Sequence, residues 1–324
     1  MSSRPELIEQ VRQLLSSTGF AVSERCSLRP ISFDMVARRD NRLLVVKILG
    51  NADALGERVA RELRILAKFL DAAPLLVAQR SGAGELEDGV LYNHRGIPVI
   101  TFGTLREHLV EDSGAVAYAS PGGLFVNLRV DVLRTVRAQR ALSLGVLAQV
   151  AGVSRRAIQM YEEGMHATIE AALRLEDYLQ ESLVEPIDPF TAFEAPPETE
   201  GPATDTPARI VSEFEQAIHQ MLRGVGFRVV PTQQSPFSAL TQKPETTILT
   251  GMERKDATDE VRARILASVR MVTETKAMYV VGRETTKTNL EGTPVIQRRE
   301  LEKIRDPDEL FNLLDERRKE PRAS

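Results

Sequence analysis

The sequence predicts a chain of class α/β plus all-α, with two α/β domains flanking a central helix-turn-helix domain. Three observations carry that expectation. First, an amphipathic helix that ends at Gly-Phe occurs twice. Leu7, Val11, Leu14 and Leu15 precede Gly19-Phe20, and Phe214, Ile218, Met221 and Leu222 precede Gly226-Phe227 at identical spacing. Second, LAQVAGVSRRAIQMYEEG, Leu147 to Gly164, reads as a short helix, a tight turn and another helix. Third, Val184 to Ala208 is rich in proline and acids and holds no basic residue. Such a stretch cannot bury enough apolar surface to order itself and predicts an extended linker.

The elements of the first copy follow in order. After the opening helix come strands near Phe20–Arg25, Ile31–Arg38 and Arg42–Ile48, then a long helix from Asp53 to Asp71. PLLVAQR (Pro74–Arg80) and GIPVI (Gly96–Ile100) are apolar strands, and a short helix follows around Leu105. The second copy answers in the same order with AMYVVGR (Ala277–Arg283), GTPVI (Gly292–Ile296) and a helix around Leu301, which marks an internal repeat. Between the copies, the turn SPGG (Ser120–Gly123) is flanked by AVAYA and LFVNL and predicts a hairpin. The expected domains are therefore residues 1–112 (α/β), 113–128 (hairpin connector), 129–183 (helix-turn-helix), 184–208 (linker) and 209–324 (second α/β). The run Arg317-Arg318-Lys319 reads as a solvated helix end.

A length of 324 residues suits two or three domains. The one cysteine, Cys26, rules out an internal disulfide and a cysteine metal cluster, and fits a reducing compartment. The start, MSSRPELIEQ, is charged where a signal peptide is apolar, and no run approaches the roughly 18 apolar residues of a membrane span. A cytoplasmic protein with no membrane partner is expected. His94, His108, His166 and His219 lack metal-ligand spacing, and no GxGxxG or GxxxxGK[ST] occurs. No metal site and no cofactor are expected.

The central stretch carries the chemistry. Ser143 is placed to cap a helix whose inward residues are Val146, Leu147 and Val150. Ala148 is small where helices cross, Gly152 permits the turn, and Val153 enters the joint. Ser154 caps the next helix, which turns Ala157, Ile158 and Tyr161 inward and Arg155, Arg156 and Gln159 outward. A helix-turn-helix reads bases with the N-terminal residues of its second helix. Arginine suits guanine O6 and N7, and glutamine suits adenine. The whole chain has a net charge of -4, yet Val132 to Tyr161 holds five arginines and no acid, so phosphate meets local positive charge.

From about Arg129 to Leu179 the chain resembles the phage-repressor, Cro-like helix-turn-helix family. The residues that carry the likeness are Leu147-Ala148, Gly152-Val153-Ser154, Ile158 and Tyr161-Glu162-x-Gly164. The resemblance implies a salt bridge from Arg137 to Glu162, and base contacts from Arg155, Arg156 and Gln159, with Met160 nearby; Ser154 and Arg140 complete the expected DNA-binding residues. Leu144 departs from the family, which often has a polar residue there.

The element order of the first copy resembles the PD-(D/E)xK restriction-endonuclease fold, in particular archaeal Holliday-junction resolvases. That likeness implies a helix acid (Glu9), a strand aspartate (Asp34 in ISFDMVAR) and a carboxylate-x-lysine ending at Lys47. The carboxylate position holds Val45, which cannot ligate a cation; Glu57 and Glu62 are the candidates to replace it. Asp34 and Lys47 otherwise read as a partly buried ion pair. In the second copy Ser238 follows Phe237 where Asp34 follows Phe33.

DGVLYNHRGIPVI (Asp88–Ile100), YASPGG (Tyr118–Gly123), Val153–Leu179 and Ile187-Asp188 together resemble a family of archaeal transcriptional regulators with a Cro-like motif between two α/β regions. The expectation is a non-enzymatic, homodimeric regulator of transcription that binds specific double-stranded DNA, its α/β domains dimerising the chain or binding a partner. The alternative is a Mg-dependent, structure-specific nuclease targeted by the helix-turn-helix.

Overall fold

The computed structural model describes residues 3–28, 31–191, 212–244, 246–254 and 258–318. The first copy comprises α1 (Arg4–Ser17), β1 (Ala21–Val22), β2 (Met35–Arg39), β3 (Arg42–Asn51), α2 (Glu57–Leu70), β4 (Ala73–Ser81), β5 (Gly84–Glu85), β6 (Val90–His94), β7 (Ile97–Ile100) and α3 (Phe102–Val110). The middle comprises β8 (Ala117–Ser120), β9 (Gly123–Leu128), α4 (Val130–Gln139), α5 (Leu144–Ala151), α6 (Arg155–Glu162), β10 (Ala167–Thr168), α7 (Ile169–Leu179) and β11 (Val184–Glu185). The second copy comprises α8 (Glu213–Gly224), β12 (Arg228–Pro231), β13 (Ala239–Lys243), β14 (Thr246–Met252), α9 (Asp259–Thr273), β15 (Lys276–Val281), β16 (Asn289–Leu290), β17 (Thr293–Gln297), α10 (Arg298–Leu301) and α11 (Pro307–Glu316). No helix among the described residues is long and apolar enough to cross a membrane.

The repeat is present in the topology. Antiparallel β1-β2-β3 matches antiparallel β12-β13-β14. The parallel pair β4-β7 with antiparallel β6 matches β15-β17 with β16. Gly19 and Gly226 leave their helices at φ +87 and +102, a turn open to glycine and strained for other residues. Asp71 and Glu274 both close a long helix in the left-handed conformation.

Chain contacts divide the molecule into two compact units, and the division runs through the first copy. One holds Met1–Leu7, Leu49–Leu55 and Leu75–Glu194; the other holds Ile8–Ile48, Gly56–Pro74 and Ala195–Ser324. In the first unit β8 pairs parallel with β6, and β9 pairs with β8, β10 and β11. The hairpin is therefore more than a connector. Val126 and Leu128 share one core with Leu133, Leu147, Ile158, Tyr161, Leu175 and Leu179 of the four helices. In the second unit Ile218, Leu222, Phe227, Ile248, Met278, Val280 and Leu314 form the core of the second copy.

Several expectations shift at element ends. The first strand shrinks to Ala21–Val22, because the Ser23 hydroxyl accepts the Val36 N–H (3.0 Å) and interrupts the ladder. The second begins at Met35 rather than Ile31. The long helix begins at Glu57, after a 3₁₀ turn at Ala52–Ala54 with Asn51 as its cap. The expected linker starts as ordered chain: Val184–Glu185 pairs with β9, Ile187 bridges to Ala115, and Phe190 lies edge-on to His108 with ring centroids 4.8 Å apart. Residues 192–208 of that expected linker lie outside the described residues. Arg317 is no solvated end, since it donates to Glu300 (2.6 and 3.0 Å) and to the Val295 carbonyl (2.5 Å). Lys319 lies outside the described residues.

Candidate nucleic-acid interface

The helix-turn-helix is built by local rules. The Ser143 hydroxyl accepts the Val146 N–H (3.2 Å) and starts α5. Gly152, at φ 73, ends it in the left-handed conformation. The Ser154 hydroxyl accepts the Ala157 N–H (3.0 Å) and starts α6. Leu147, Ala148, Ala151, Ile158 and Tyr161 are buried. Burial pushes the Tyr161 hydroxyl above the usual tyrosine range. Val146, expected inward, is 38% exposed; the inward place on α5 belongs to Ala151. Arg137 of α4 forms a forked pair with Glu162 of α6, as the family likeness implied, with a second bond of 3.0 Å from Nη2 to Oε2. The hydrogen bond to Glu162 raises the arginine further above its ordinary value.

On the outer face, Ser154, Arg155, Arg156 and Gln159 lie together at the N-terminal end of α6, all exposed. They do not point alike. The Arg155 guanidinium folds back over α5, so that a methyl group at Gly145 would sit 3.0 Å from its Nε. Arg156 Nη1 donates to Gln159 Oε1 (3.0 Å), and Gln159 Nε2 donates to Glu163 Oε1 (3.1 Å). This is an ordered row at helical i, i+3 and i+4 spacing. Met160 is half-buried, and Arg140 sits 3.9 Å from Glu181. Sequence reasoning missed Gly145, Glu163 and Arg174. Glu163 stands four residues after Gln159 and was legible by helical period. Arg174 reaches from α7 to the Ala151 carbonyl (3.4 Å) beside the turn, a contact between elements with no local signal.

The nuclease-type residues are arranged differently. Asp34 and Lys47 are 1% and 5% exposed, and Lys47 Nζ lies 3.8 Å from Asp34 Oδ2. That same oxygen accepts the Ile48 N–H (2.8 Å), and Lys47 donates to the Ile31 carbonyl (2.7 Å). Val45 is fully buried and apolar. Glu62 accepts the Gln233 N–H (2.7 Å), the Gln234 N–H (2.9 Å) and the Ser235 hydroxyl (2.5 Å). Glu57 lies 3.5 Å from Arg64. Glu9 binds Arg12 and Gln13, and the Arg12 bond first among its causes holds its carboxyl below the usual range. Among the described residues, no group of three His, Cys, Asp or Glu side chains could hold a metal. These donors do not fit the divalent cation of a PD-(D/E)xK site. In the second copy, ladder register aligns Ser238 with Asp34 and Gly251 with Lys47.

Residues 4–114 match the family model described as a PD-(D/E)XK superfamily domain, and residues 133–185 match that described as a helix-turn-helix. A protein of Natronomonas pharaonis named as an HTH-type transcriptional regulatory protein is 40% identical over 97% of this chain and 99% of its own length. One of Haloarcula marismortui with the same kind of name is 39% identical over 97% of each chain. One of Methanosarcina acetivorans is 37% identical over 96% of this chain and 97% of its own. No solved structure matches.

Proposed function

Since this chain belongs to the family of archaeal HTH-type transcriptional regulatory proteins, we propose that it is a sequence-specific, double-stranded-DNA-binding regulator of transcription acting in the cytoplasm. The observation that carries the reading is the exposed row of Arg156 and Gln159 on α6, mounted on a packed core. Arg156 and Gln159 read base edges from the major groove, while Arg155, drawn back over α5, with Arg140 and the Ser154 cap, faces the sugar-phosphate backbone. Met160 borders the reading row. The α/β regions serve a non-enzymatic role, because the donors at Asp34, Val45 and Lys47 do not suit a hydrolytic cation.

Selection of random-sequence duplexes on the purified chain, with and without Mg²⁺, tests this. The expected result is an enriched motif on intact DNA. Arg156→Ala is expected to weaken specific binding by roughly 1–3 kcal/mol and to relax one position of the motif. An unchanged preference would remove Arg156 from base reading, and cut DNA would restore the nuclease alternative.

Gly145→Ala separates stability from binding. Alanine is the better helix former by about 0.5–1 kcal/mol, so unfolding should move to higher denaturant. Its methyl also crowds the Arg155 guanidinium. We expect a more stable fold that binds DNA more weakly, by less than the Arg156 change. A variant that gains stability and binds as before would show that the folded-back position of Arg155 is irrelevant to DNA.

A further inference from the structure

The two α/β copies meet within the second unit, and they meet through equivalent positions. Register aligns Met35 of β2 with Ala239 of β13, so Phe33 and Phe237 occupy the same place in the repeat. Their ring centroids are 6.4 Å apart. Beside them the Ser32 and Ser235 hydroxyls share a hydrogen bond of 3.0 Å. Farther out each copy reaches the end of the other's long helix, through different residues. Arg38 of β2 donates to the Val272 and Thr273 carbonyls (2.8 and 3.1 Å) at the end of α9. In return Thr247 of β14 donates to the Phe69 carbonyl (3.4 Å) at the end of α2, and Arg228 of β12 lies 5.0 Å from the Phe69 ring centroid. Strands of each copy address the end of the other's long helix. Self-complementary contact of this kind is the mark of a two-fold interface, ordinarily made between two chains.

The two sides differ in where a charge is placed. Helix ends Asp71 and Glu274 align Glu62 with Ile265, and the Asp34–Ser238 match aligns Ile31 with Ser235. On one side of the pseudo-two-fold the Glu62 carboxylate is held by Gln233, Gln234 and Ser235. The symmetric side has Ile265 and Ile31 instead. Two first copies paired with each other would set Glu62 against Ile31 and bury a carboxylate without the Ser235 hydroxyl. By the same match Arg29 and Pro30 stand where Gln233 and Gln234 do, and proline has no N–H to give, so the clamp in its observed form needs one first copy with one second copy.

We infer that the chain carries its dimer partner within itself: the α/β pair is an intramolecular pseudo-dimer, and the protein delivers a single helix-turn-helix to a single, non-palindromic DNA site. The internal pairing replaces the homodimer expected from sequence. The single-site part rests on the DNA-binding reading above. Sedimentation equilibrium of the full chain, alone and with the duplex enriched by selection, tests it. The expected result is one chain in free solution, one chain per duplex, and a motif without inverted repeat. A stable two-chain species that binds an inverted repeat overturns it. A single chain that enriches no DNA overturns the DNA-binding reading and its single-site corollary, and leaves the internal pairing standing. Glu62→Ala is expected to split the unfolding of the second unit into two transitions, with partial rescue by Glu62→Gln; a single unshifted transition would sink the clamp.

Discussion

Replacing Lys47 with methionine is expected to destabilise the second unit by about 3–5 kcal/mol, the cost of leaving a buried carboxylate without its cation. Asp34 is 1% exposed, and its chain neighbours Phe33 and Met35 are buried as well. Water cannot take over the charge that the ammonium 3.8 Å away now balances. Methionine keeps the length and loses the charge. The companion variant, Lys47→Met with Asp34→Asn, is expected to recover most of the loss. Asparagine still offers an oxygen to the Ile48 N–H, and no lone charge remains in the interior. Urea unfolding of the two single variants and the double gives the coupling. A cost for Lys47→Met within the range of ordinary surface changes would show that the pair is not structural. The nuclease alternative expects the opposite pattern, a stable Lys47→Met variant that has lost Mg²⁺-dependent cleavage.

Arg137→Ala carries the next largest effect, about 2–3 kcal/mol of stability in the helix-turn-helix core. Glu162 is 8% exposed, and its carboxylate faces the Arg137 fork. The arginine side chain is 29% exposed, so the figure stands below that for the fully buried Lys47 pair. Arg137→Lys should recover only part of the loss, because an ammonium cannot make the forked contact. DNA titration supplies a second readout. With its guanidinium held by Glu162, Arg137 is expected to add no phosphate contact, so the folded variant should keep the wild-type slope of affinity against salt. Replacing a phosphate contact would lower that slope by about one. A lowered slope in Arg137→Ala would place that arginine on the DNA.

Much of this was legible because its causes are local. The helix-turn-helix is written in two serine caps, one left-handed glycine and apolar residues at helical period, all within some twenty neighbouring positions. Each cap acts on an N–H three residues away, as Ser143 does on Val146 and Ser154 on Ala157. The repeat was legible for a similar reason: both copies need an apolar stripe and a glycine turn at the same distance. Val146 shows the limit. Its period allowed an inward place, but only the crossing angle of the neighbouring helices decides which edge of the stripe is covered.

The amino-acid sequence by itself determined the class of each segment, the order of the two copies around the motif, and the loss of the carboxylate at Val45. Tertiary structure alone decided where the charges went. Glu62 was a candidate metal ligand in the sequence, and it is instead the clamp on backbone N–H groups 171 and 172 residues away. Arg155 and Arg156 read alike in the sequence, and one lies back over α5 while the other points to Gln159. A cap or a turn is chosen by neighbours a few bonds away, so pattern reveals it. The partner of a carboxylate or guanidinium is whatever the fold brings within about 3 Å, and that distance is a property of packing.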